Sequence, residues 1–220
     1  MALNKLKFNS LNVTPTAGKA VGFNSSANGL EATLSGGAMT FIKKLTASSS
    51  STLSFVDGSS DVVLDSTYKE YMFILNNIHP ATDAVNTTFQ ASTDGGSNYN
   101  TTITSTFFRA AHDEADSVVS SVVYGTPQDQ AQGSAFQTLN YQTGNDNDQS
   151  ATGILHLFNP SSTTFVKHFI YTGQDAGYSN ISNERFVAGY FNTTSALDAI
   201  QFKMESGNID AGTITLYGIN

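Results

Sequence analysis

The chain contains no cysteine and no tryptophan. Without cysteine it has no disulfide framework, no thiolate nucleophile and no thiolate metal ligand. Charge is sparse as well. Asp, Glu, Lys and Arg make up 13% of the residues, against about 25% in an ordinary globular protein. The charge present is mostly negative, with a net charge of -8 and a pI near 4.7. No basic run occurs; Asn4-Lys5-Leu6-Lys7 and Lys43-Lys44 come nearest. Nucleic acid and anionic membranes repel such a surface, so neither is an expected partner and a genome-packing role is excluded. No stretch approaches the ~18 apolar residues of a membrane-spanning helix. The opening "MALNKLKFNS" lacks the continuous apolar segment of a secretory signal.

What replaces charge is neutral polarity. Ser (26), Thr (26), Asn (19) and Gly (18) together supply 89 of 220 residues. Thr fits the pleat of a strand through its branched Cβ, and Asn, Ser and Gly supply turns. This is an all-β composition, and the length suits one β domain with an added arm.

Residues 1–38 differ from the remainder. They are small, polar and Gly-rich, with isolated apolar residues and no sustained period of 3.6 or 2.0. Phe8, Leu11, Val13 and Phe23 are the candidate contacts of an extended arm laid into grooves of a neighbour. A disordered tail is the alternative, although such tails are poor in aromatic residues.

From residue 39 onward short strands succeed one another. "MTFIKKL" (39–45) and "TLSFV" (52–56) come first. "KEYMFILNNI" (69–78) has a continuous apolar centre, which predicts a strand buried on both faces and stopped at Pro80. "TTFQAST" (87–93) and "NYNTTITSTFF" (98–108) flank Asp94-Gly95-Gly96-Ser97, a hairpin signal. Residues 110–117 read as a short helical turn and 118–124 as a strand. The polar stretch 125–151 reads as a long loop around a strand at 135–142. Strands follow at 153–159, 164–172, 185–192, 199–205 and 212–219, leaving a loop at 173–184. In "AIQFKME", Ile200, Phe202 and Met204 alternate inward. The spacing predicts an antiparallel two-sheet sandwich of jelly-roll type over 39–220, with an immunoglobulin-like sandwich second.

Chemistry is hard to find in this sequence. His79, His112, His156 and His168 have no zinc-ligand spacing, and no GxSxG, Walker A or GxGxxG motif follows a strand. "HDEAD" (112–116), "DGSSD" (57–61) and "NDND" (145–148) are acidic, and none has the spacing of a calcium loop. They read as solvated turns, with a structural Ca²⁺ as the sharper alternative. No cofactor is expected. Tyr99, Tyr124, Tyr141 and Tyr178 are placed on loops, where rings stack on sugars. Tyr141 and Tyr178 are the candidate loop contacts.

Three stretches, "FIKKLTASSSSTLSFVDG" (41–58), "YKEYMFILNNIHPATD" (68–83) and "FQASTDGGSNY" (89–99), resemble a pattern in virion proteins of tailed bacteriophages. The closing "LDAIQFKMESGNIDAGTITLYGIN" (197–220) resembles the C-terminal end of the same proteins. The resemblance implies a β-sandwich on the particle exterior, assembled in the bacterial cytoplasm and without catalytic residues. It implies other virion proteins as partners and a homo-oligomer, with a trimer favoured. Two roles stay open: a capsid decoration protein attached through its arm, or a tail-fibre or receptor-binding protein recognising a host glycan or protein. A glycan depolymerase is the enzyme alternative.

Overall fold

The computed structural model describes residues 20–23, 30–33 and 38–220. The chain divides after Ala38 into two units. In the first, β1 (Ala20–Phe23) and β2 (Leu30–Thr33) pair antiparallel, from Ala20 opposite Thr33 to Phe23 opposite Leu30. Phe8, Leu11 and Val13 lie outside the described residues, and Phe23 closes β1.

The second unit is all-β. Its strands are β3 (Met39–Thr46), β4 (Leu53–Val56), β5 (Glu70–Pro80), β6 (Val85–Ser92), β7 (Ile103–Asp113) and β8 (Val119–Tyr124). They continue with β9 (Gln137–Thr143), β10 (Ala151–Phe158), β11 (Lys167–Gly177), β12 (Ile181–Phe191), β13 (Ala199–Met204) and β14 (Ile209–Ile219). Every pairing among them is antiparallel.

One run of neighbours is β3-β14-β5-β10-β11-β12-β7-β8, and the other is β9-β6-β13-β4. A single register position, Gly177 opposite Thr143, joins the two runs into one sheet folded back on itself. The hairpins β7–β8 and β11–β12 are additions to a simpler frame. The other eight strands pair first with last: β3 with β14, β4 with β13, β5 with β10, and β6 with β9.

The core lies between the two runs. Its centre is a set of phenylalanines in edge-to-face contact, with Phe55–Phe73 centroids 5.3 Å apart and Phe89–Phe169 5.1 Å apart. Leu53 and Phe55 of β4 point inward, as do Ile200, Phe202 and Met204 of β13, matching their alternation in sequence. Ile214 and Leu216 of β14 are fully buried, and the strand is paired on both sides, with β3 and β5. Gly218, in that strand, leaves the space filled by the ring of Tyr68.

Several local expectations give way. The run Tyr71–Leu75 buries only one face: Tyr71, Phe73 and Leu75 are buried, whereas Met72 and Ile74 are half-exposed. The strand buried throughout is the polar-looking β6. The segment after β8 covers it, and Gln90 Nε2 donates to the carbonyls of Ser134 (3.2 Å) and Ala135 (2.8 Å). The Asp94-Gly95-Gly96-Ser97 turn has the predicted positive φ at both glycines, 70° and 79°. It does not make a hairpin, because β6 pairs with β9 and β13 while β7 pairs with β12 and β8. Its chemistry is nonetheless that of a tight turn. The Asp94 carboxylate accepts from Ser92 Oγ, the Asn98 backbone N–H and Asn98 Nδ2. With Asn98 the foremost cause, these bonds hold its pKa at about 2.

Residues 110–117 form no helical turn; β7 runs to Asp113, and the Asp113 carboxylate caps the reversal into β8 by accepting from Ser117 and Val118 N–H. The expected loop at 173–184 is instead the far end of the β11–β12 hairpin, reversed over Tyr178, Ser179 and Asn180.

Candidate functional site

The chain has two arginines, Arg109 and Arg185. They stand directly opposite each other in the register of β7 and β12. Like charges at facing positions repel, so the pair is unfavourable unless other groups offset it. Arg185 is 1% exposed and Arg109 half-buried. Both line one narrow cleft of about 30 Å³, together with Tyr141, Tyr178, Asn183 and Ser179.

The floor of the cleft is a buried polar network. Arg185 Nε donates to Asp175 Oδ1 at 2.8 Å, and its Nη2 donates to Asp175 Oδ2 at 3.3 Å and to the Tyr141 carbonyl at 2.7 Å. Asp175 is 0% exposed and also accepts from Asn183 Nδ2 (3.0 Å) and Asn140 Nδ2 (3.4 Å). Tyr171 donates its hydroxyl to Asn140 Oδ1, which continues the network into the core. Burial pushes the Asp175 carboxyl above the usual carboxylate value, and the Arg185 guanidinium and Asn183 pull it back. Burial likewise pushes the Tyr171 phenol up. Arg185 Nη1 is buried and has no hydrogen-bond partner. Arg109 Nη1 donates to Asn183 Oδ1 at 3.1 Å, and among the described residues Arg109 has no carboxylate partner. Two cations and one buried anion leave the cleft locally positive within an acidic chain.

Tyr141 and Tyr178, far apart in sequence, therefore meet at one site. Tyr141 is on β9 rather than on a loop, and the Arg185 guanidinium sits over its ring at 5.9 Å. Tyr178 occupies the β11–β12 turn and is 47% exposed. Tyr124 is spent on Asp129, to which its hydroxyl donates at 2.6 Å. No sequence motif marks the arginines; their one sequence signal is scarcity in an acidic chain whose other cations are lysines.

On the other side of the same turn lies a wider polar pocket of about 440 Å³. Gln149, Gln174, Asn180 and Ser182 line it, along with His112, Asp113, Glu114 and Asp148. The acidic turns serve local structure. Asp57 accepts from Leu64 N–H at 2.8 Å, and His112 Nε2 lies 3.0 Å from Asp116 Oδ1. Among the described residues no three His, Asp or Glu side chains converge on a metal position. His156 and His168 are not cross-strand partners: His156 faces Ile170 and bonds Glu70 at 2.5 Å, while His168 faces Tyr190. Lys167, fully buried on β11, donates to the Thr193 carbonyl at 3.0 Å, and burial lowers its pKa.

Comparison of the chain with protein-family models, curated proteins and solved structures finds no match.

Proposed function

We propose that this chain is a non-enzymatic structural protein on the exterior of a tailed-phage particle, a homo-oligomer that docks on other virion proteins. The observation that carries the reading is the outer face of the longer strand run. Phe41, Tyr217, Met72, His156, Ile170, Ala188 and Thr106 form one row of cross-strand neighbours over seven strands. Ile74, Ile154, Thr172, Phe186, Phe108 and Tyr124 form the next. Neither row carries a carboxylate, and Phe41, Ile154, Ile170 and Tyr124 are 58%, 39%, 49% and 50% exposed. A broad face of this kind marks a protein-contact surface.

The nested pairing of the eight frame strands supports a jelly-roll reading of the fold. A long hairpin rolled on itself pairs its first strand with its last, and such double-sheet rolls recur in viral capsid proteins. Fold alone assigns no function; the apolar outer face and the resemblance of residues 41–99 and 197–220 carry that step. A decoration protein attached through the N-terminal arm fits both.

The second reading, attachment to a host glycan, is favoured by one observation, the meeting of Tyr141, Tyr178 and the two arginines at one cleft. Quantitative mass spectrometry of purified particles of the encoding phage, with immunogold labelling, tests the proposal. Labelled heads and a copy number matching the head lattice support decoration. Labelling confined to the tail supports attachment. Absence from particles overturns both.

A further inference from the structure

We infer that the Arg109–Arg185 cleft is a binding subsite for the carboxylate of an acidic sugar held within an otherwise neutral glycan. The inference does not depend on where on a particle the protein sits. Three observations converge on it. First, the only two arginines of the chain face each other across β7 and β12. Adjacent like charges are unfavourable unless an anion between or above them offsets the repulsion. Of the two arginines Asp175 pairs only with Arg185, through Nε and Nη2. Arg109 is left with a neutral amide. Second, Arg185 Nη1 is a buried donor without a partner, on a side chain that is 1% exposed. An unpaired buried donor on a charged group is costly, and natural proteins keep few of them. Arg185 lines the cleft, its Nε and Nη2 are engaged, and Nη1 is left as its unpaired donor. Third, the cleft is small. A volume of about 30 Å³ admits a carboxylate group and excludes a sugar ring.

The ring must then lie outside, and the surroundings suit one. The exposed Tyr178 ring stands on the turn at the mouth. Aromatic faces stack on the apolar faces of sugar rings. Across the turn, the exposed Asn180, Ser182 and Gln174 carry amide and hydroxyl groups of the kind that pair with sugar hydroxyls. Asp113, Glu114 and Asp148 share that pocket. They repel a second anion, so the glycan has an isolated carboxylate flanked by neutral sugars. Planar guanidinium groups favour carboxylates through paired N–H donors, which Lys does not supply.

The test uses the full chain and NMR or calorimetric titration with glucuronic acid, a neutral hexose of the same ring size, and a short heteroglycan containing one uronic acid between neutral sugars. The expected result is saturable binding of glucuronic acid and tighter binding of the heteroglycan, with shifts at Tyr178 and Asn183, and none for the neutral hexose. Arg109→Gln, at a half-buried position, weakens both by about tenfold or more, equivalent to the loss of one charged contact. Tyr178→Ala weakens the heteroglycan several-fold and glucuronic acid less. Both variants retain the wild-type thermal midpoint, which separates loss of binding from loss of fold. Three results overturn the proposal: no saturable carboxylate binding, binding unchanged in Arg109→Gln, or equal binding of an acidic peptide. A high-resolution crystal structure with a water on Arg185 Nη1 that is not displaced by glucuronic acid overturns it too.

Discussion

A methyl group added at Gly153 or Gly173 would fall within the ring of Tyr171. The two glycines are cross-strand partners in β10 and β11, so together they form a shallow trough on the inner face. Tyr171 lies along that trough and reaches the Thr152 carbonyl at 3.3 Å and the Asn140 amide oxygen. Glycine weakens a strand in general; here it admits a large buried ring, and the ring replaces the missing side chains. On its other edge Gly173 faces Arg185, so the trough also borders the polar network. Gly153→Ala is expected to destabilise by about 1–3 kcal/mol, because the packed interior must shift to accept the methyl group. Urea denaturation followed by near-UV circular dichroism of the tyrosines checks it; a stability equal to wild type would show that Tyr171 can leave the trough at no cost. The sequence shows both glycines inside strand patterns but not the ring that needs them. That need arises only when β10 and β11 come into register.

At the scale of elements, the Asp175–Arg185 pair acts as a fastener. It ties β11 to β12 through the pair itself and to β9 through the Tyr141 carbonyl and Asn140. The two strand runs meet nearby by a single register position, Gly177 opposite Thr143. Charges withdrawn from water bring a desolvation cost, which excellent geometry and added hydrogen bonds offset. Removing one partner leaves the other charge buried. Asp175→Asn should therefore cost about 3–5 kcal/mol. Adding Arg185→Met to Asp175→Asn should cost less than the sum of the single changes, by about 1 kcal/mol or more in a double-mutant cycle. Strict additivity would contradict the pairing. Some strands were legible, since β4 and β13 alternate as their sequences do. The connection between them was less so. The Asp94-Gly95-Gly96-Ser97 turn has hairpin chemistry but leads from one strand run to the other. Turn residues set local φ and ψ, whereas partner choice follows from which apolar faces can be buried together.

At the scale of the whole molecule, the outer face of the longer strand run is the feature that calls for a partner. In a single copy Ile170 lies 49% exposed at the middle of that face. Ile170→Asp is expected to leave the monomer folded, because the side chain faces away from the core. If the protein is the proposed homo-oligomer on a phage particle, the change shifts it toward monomer in sedimentation or light-scattering measurements and lowers its incorporation into particles. An oligomer that survives the change would move the contact surface elsewhere.

The sequence by itself determined the class of this protein. Abundant Thr, Ser, Asn and Gly, the spacing of short strands and the two-residue alternation of strands such as Ala199–Met204 led to an antiparallel all-β body. These are local signals, carried by each residue's own preference and by the period of its neighbours. Only the tertiary structure decided that first and last strands pair in nested order. It alone buried the polar strand Val85–Ser92 and set Arg109 opposite Arg185 beside Tyr141 and Tyr178. Those outcomes depend on register between segments distant in the chain. Register is settled by the burial of the whole core, which no single stretch of sequence records.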